Sequence, residues 1–132
     1  MGTRMIFPNI PVKDLKRSMD FFGHLGFTFN EKFTDDKAAC MVVNETAFIM
    51  LLTDPFFRTF TTKKLVDTLH YTELIMAVSA DSREQVDSIA ARALEMGATE
   101  TRTEDLGFMY TRGFADPDGH LWEFFWMDEH PE

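Results

Sequence analysis

Apolar and polar residues follow one another along this chain in two passes of the same order. In the first pass, residues 5–12 are an apolar run whose Pro8 and Pro11 predict an irregular or edge strand. Asp14 is placed to cap a helix, and Leu15, Met19, Phe22 and Leu25 recur at helical spacing. Gly26 falls where a helix stop is expected. Strand-like runs follow at 27–33, 38–43 and 47–53, with turn residues at 34–37 and 44–45 between them.

The second pass repeats the sequence of elements. Residues 73–79 read as a strand, Ser82 with Gln85 as a capping box, and Val86, Ile89, Ala90, Ala93 and Leu94 as a helical stripe. Met96-Gly97 repeats Leu25-Gly26, and strands are predicted at 99–103, Met109–Ala115 and Leu121–Met127. Each pass is βαβββ. The expected layout is one domain over 1–132, with a first module at about 1–53, a linker at 54–72 and a second module at about 73–128. The linker carries Phe56, Phe57 and Phe60, which suit a lid over a ligand or a dimer seam.

The most telling stretch is Asp116-Pro117-Asp118-Gly119-His120-Leu121-Trp122-Glu123. Pro117 presets a turn, the Asp side chains can bond nearby amides, and Gly119 permits positive φ. In the strand after it, Leu121, Glu123, Phe125 and Met127 share one face, and Trp122, Phe124 and Trp126 the other. Both faces are apolar, which implies a strand covered on both sides. Glu123 is the exception. A carboxylate among such hydrophobes needs a cation or marks a site.

Composition narrows the choices. The 14 Phe and 9 Met suit a roomy apolar interior or pocket. A net charge of −9 argues against nucleic acid or an anionic membrane as partner. One cysteine, Cys40, allows no internal disulfide and fits a cytoplasmic location. No apolar run approaches the ~20 residues that span a bilayer, and no signal peptide is expected at the N-terminus.

The words Val12-x-Asp14-Leu15-x-Arg17-Ser18-x-x-Phe21-Phe22-x-x-Leu25-Gly26-Phe27 at the start and Asp116-Pro117-Asp118-Gly119-His120-Leu121-Trp122-Glu123 at the end resemble the vicinal oxygen chelate superfamily. That group includes glyoxalase I, extradiol dioxygenases, and bleomycin- and fosfomycin-resistance proteins. The resemblance implies an α+β fold of two βαβββ modules. Their eight strands would form a U-shaped mixed sheet around a cup, with helices outside, in a homodimer. It also implies a divalent metal (Ni, Zn, Mn, Fe or Mg) in members that use one. Carried over residue by residue, the four ligand positions fall at Phe7, Met50, Glu73 and Glu123. Only Glu123 is the usual ligand type, Glu73 is a carboxylate where His is common, and Phe7 and Met50 cannot hold a hard cation.

An alternative use for Glu123 follows from the hairpin. With Ala115 opposite His120, Arg112 falls opposite Glu123 and Tyr110 opposite Phe125, which predicts an Arg112–Glu123 pair inside the cup. Asn9 shares a face with Phe7 and either looks into the cup or bonds local backbone. His24, His70, His120 and His130 read as non-ligands, and Cys40 as a buried thiol. The expected function is therefore binding of a small, mostly apolar or aromatic molecule without a complete metal site. Its contacts would be Phe7, Asn9, Met50, Glu73, Tyr110, Arg112, Glu123 and Phe125. The alternative is a metal-dependent glyoxalase-like lyase or isomerase, or a dioxygenase, using Glu73 and catalytic Glu123.

Overall fold

The computed structural model describes residues 2–129 and divides into two compact units, parting after Leu65. Each unit carries a four-stranded mixed sheet and a helix, in the order that the sequence predicts.

In the first unit, β1 (Asn9–Val12), β2 (Thr28–Phe29), β3 (Ala38–Val42) and β4 (Phe48–Thr53) lie in the order β1-β4-β3-β2. The β1–β4 pair is parallel and the others antiparallel. Helix α1 (Leu15–His24) starts at Asp14, whose carboxylate accepts from the Arg17 amide at 3.1 Å. Its Leu15, Phe21 and Phe22 are buried, as are Ile10, Val12, Ala39, Met41, Ile49 and Leu51, which alternate onto one face of the sheet. At ~1.5–3 kcal/mol for each large side chain removed from water, this layer supplies most of the unit's hydrophobic stabilisation. The predicted strand at 27–33 is cut short: after Phe29, Asn30 accepts from the Lys32 amide and the chain turns through a 3-10 helix, Glu31–Phe33. A short helix α2 (Asp54–Phe57) and a second 3-10 turn follow β4, with Phe56 and Phe60 edge to face at 5.1 Å.

The second unit repeats the topology with β5 (Ile75–Ser79), β6 (Thr99–Asp105), β7 (Met109–Ala115) and β8 (Leu121–Met127), ordered β5-β8-β7-β6. Helix α3 (Arg83–Glu95) begins in the predicted box: Ser82 accepts from the Gln85 amide, and the Gln85 side chain accepts from the Asp81 amide. Small Ala90 and Ala93 and Val86 on α3 meet large Phe114, Trp122 and Phe124 on β7 and β8, all buried. The opposite face of β8 is only partly covered, so the strand is not enclosed on both sides.

The hairpin between β7 and β8 is built on one carboxylate. Asp116 accepts from the Asp118 and His120 amides at 2.9 and 3.0 Å and from Trp122 Nε1 at 3.0 Å. Burial pushes its carboxyl up, against the opposing pull of His120 and the Trp122 N–H. Gly119 takes φ 89°, and a Cβ there would run into the backbone of Thr68, whose hydroxyl donates to the Asp118 carbonyl at 2.5 Å. The segment entering the second unit is thereby fastened across the turn.

Candidate functional site

The hairpin register decides which side chains meet. The loop has five residues, Asp116 to His120, because the Asp116 amide donates to the His120 carbonyl and the Gly119 amide to the Asp116 carbonyl. Ala115 therefore pairs with Leu121, Gly113 with Glu123, Arg112 with Phe124 and Thr111 with Phe125. This is one residue away from the expected register, and a slip of one exchanges the faces. The expected Arg112–Glu123 pair is not formed. Arg112 and Tyr110 lie on the α3 side, where Tyr110 Oη donates to Asp87 at 2.5 Å and Arg112 donates to Asp87 and Glu100, both at 3.2 Å. Tyr110 is opposite Trp126, not Phe125.

Glu123 nevertheless has its guanidinium. Arg102 of β6 donates from Nε to Oε2 at 2.7 Å and from Nη2 to Oε1 at 3.0 Å, and from Nη1 to Glu104 at 3.2 Å. A bulge makes this possible. Glu100 pairs with Phe114 and Thr103 with Arg112, so Thr101 and Arg102 together face the single residue Gly113. A Cβ on Gly113 would lie 2.6 Å from Thr101 Oγ1, so the glycine makes room for the extra residue. The paired carboxylates hold the Arg102 proton more firmly than in water, with the Glu123 bonds the largest cause. Arg102 escaped the sequence reading because no alternation rule crosses a bulge. The available signal was a lone cation in the otherwise acidic and neutral run 99–105.

The open face of this sheet thus presents Thr101, Arg102, Glu104, Thr111, Leu121, Glu123, Phe125 and Met127, with Ile75, Ala77 and Ser79 on β5. Thr111 is 2% exposed, and its hydroxyl has no hydrogen-bond partner among the described residues.

The remaining expected contacts each have a place within their own unit. Ala77, not Glu73, is level with Glu123; Glu73 lies in an exposed bend four residues earlier. In the first unit Asn9 is level with Met50, and Met50 with Cys40. Asn9 uses its amide locally, donating to the Phe7 carbonyl at 2.7 Å, and the Phe7 ring stacks on Phe48 at 4.8 Å. His70 pairs with Asp67 at 2.7 Å, and the His120 amide is held in the Asp116 turn. His130 lies outside the described residues. Burial raises the Cys40 thiol.

These residues do not fit a divalent cation. Both Glu123 oxygens are taken by a guanidinium, its neighbours in the row are Ala77 and Gly113, and the row in the first unit has no hard anionic donor. Among the described residues no three His, Cys, Asp or Glu side chains are gathered in a metal-holding group.

Residues 4–44 match the bleomycin resistance protein-like N-terminal family. A hypothetical protein from S. aureus superposes with TM-score 0.79 at 22% identity, over 95% of both chains. A glyoxalase-related enzyme from Fulvimarina pelagi gives 0.76 at 19% identity, over 98% of this chain and 91% of that one. The fosfomycin resistance protein FosX from Listeria monocytogenes gives 0.68 at 19%, over 100% and 97%. This is the vicinal oxygen chelate fold. No curated protein matches the sequence. On that fold this chain has a four-stranded sheet in each unit, and on the last strand of the second it sets a guanidinium against Glu123. Among the described residues no helix is long and apolar enough to cross a membrane.

Proposed function

We propose that this protein binds a small, mostly apolar or aromatic molecule on the open face of the second unit's sheet, without a metal, as a cytoplasmic homodimer. One observation carries the reading: Glu123, the carboxylate at the fold's ligand position, is neutralised by a two-pronged bond to Arg102. Around that pair lie Leu121, Phe125 and Met127, apolar side chains that a ligand would cover. Sequestration of such a molecule requires no reaction and no cofactor. The donor set gives no support to a lyase or dioxygenase working through Glu73 and Glu123. The large hydrophobics exposed at Leu106 and Phe108 support a second copy as a partner, and the one buried cysteine suits a reducing compartment.

A thermal-shift screen of aromatic compounds, run with chelator and again with excess Ni²⁺, tests this reading. The expected result is a higher melting point with some aromatic compounds and no dependence on the metal. Ligand binding or turnover that requires the metal would refute it. Light scattering tests the dimer; a monomer at micromolar concentration would refute that part.

A further inference from the structure

Three of the five Arg102 N–H donors are spent on two carboxylates, so the Arg102–Glu123–Glu104 group carries a formal charge of −1. The fork to Glu123 fixes the guanidinium plane, while the Arg102 side chain is 47% exposed and that of Glu123 is 15% exposed. A ligand carboxylate, phosphonate or sulfonate could bond only the two N–H donors left on Arg102, at a group that is already net negative, unless it drew the guanidinium from Glu123 and left that largely covered anion unpaired. It would also approach Glu104. An uncharged aromatic ring meets neither obstacle, because a pinned guanidinium offers it a flat cationic plate. Glu104 uses only one carboxylate oxygen among the described residues, which leaves the other to accept a bond from a ligand O–H or N–H. Phe125 stands next to Glu123 on the same face.

Resting on the binding reading above, we infer that the ligand is an uncharged planar aromatic bearing a hydrogen-bond donor, such as a phenol or an aryl amide. Its ring stacks on Arg102, its donor reaches Glu104, and anions are turned away. The orphan hydroxyl of Thr111, opposite both Glu104 and Phe125 in the sheet, lies beside this position.

Isothermal titration at neutral pH with 2-naphthol, naphthalene-2-carboxylate and naphthalene-2-carboxamide as probes tests the inference. The naphthol and the amide should bind at least about tenfold more tightly than the carboxylate. Arg102→Met should weaken naphthol about fivefold, and Arg102→Lys, which keeps the charge and loses the plate, by a similar factor. Glu104→Gln should narrow the gap between carboxylate and naphthol. Folding of each variant is checked by circular dichroism, and Glu104→Gln, on an exposed side chain, serves if an Arg102 variant fails to fold. Carboxylate binding as tight as naphthol, or naphthol affinity indifferent to Arg102 and Glu104, would overturn the inference and leave the binding reading standing. Failure of all three probes and of the wider aromatic screen would overturn both.

Discussion

The two units share a topology and differ in one row of residues. Asn9, Met50 and Cys40 sit side by side in the first sheet; Ala77, Glu123 and Gly113 hold the matching places in the second. The first row is neutral, and its one polar side chain bonds its own backbone. The second contains a carboxylate and a gap, and the gap is what admits a bulged strand carrying the cation. Here the carboxylate enters the row together with a change in the neighbouring backbone.

The largest effect is expected where the second row loses its register. Asp116→Ala removes the acceptor for two amides and Trp122 Nε1, and should cost about 3–5 kcal/mol in denaturant unfolding. A loss below about 1 kcal/mol would mean that the turn is held by other contacts.

Copying the second row into the first is the next test. Met50→Glu places a carboxylate beside Asn9 and Cys40 with no cation in the row, and should cost about 2–3 kcal/mol at neutral pH. Burial raises the new group's folded pKa, so stability should return as pH falls below about 4 and be lost as pH rises. The reverse change, Glu123→Met, should cost only about 1 kcal/mol, because half-exposed Arg102 keeps Glu104. A larger loss than for Met50→Glu would invert the comparison.

Two smaller effects sharpen it. Thr111→Val removes an unpartnered hydroxyl and should stabilise the protein by up to about 1 kcal/mol, seen as a rise in melting temperature. On the other face of the second sheet, Arg83 holds Asp105 near 2, well below its ordinary 3.8. That depressed carboxyl contributes stability present above its ordinary value and lost as pH falls through about 2. Arg83→Gln should flatten this part of the acid unfolding curve.

Most of the architecture was legible in the sequence. Helix boundaries followed from Asp14, Ser82 and the glycines at 26 and 97, and the succession of elements from the repeated βαβββ pattern. Glu123 stood out because an acid among Trp and Phe is costly without a partner. Its partner differs from the expected Arg112 because the loop has five residues, His120 included, and not four. Arg102 was hidden behind a bulge, and a bulge is a property of two strands together that neither sequence announces alone. Strand 27–33 was overextended because the Asn30 side chain competes with the ladder for the Lys32 amide, a contest that apolar patterning does not register.

The five-residue loop from Asp116 to His120 also acts as a gauge. Inserting or deleting one residue there would turn Trp122 and Phe124 outward and send Glu123 against α3. The stretch of chain that makes this protein recognisable is thus the one whose length must stay fixed.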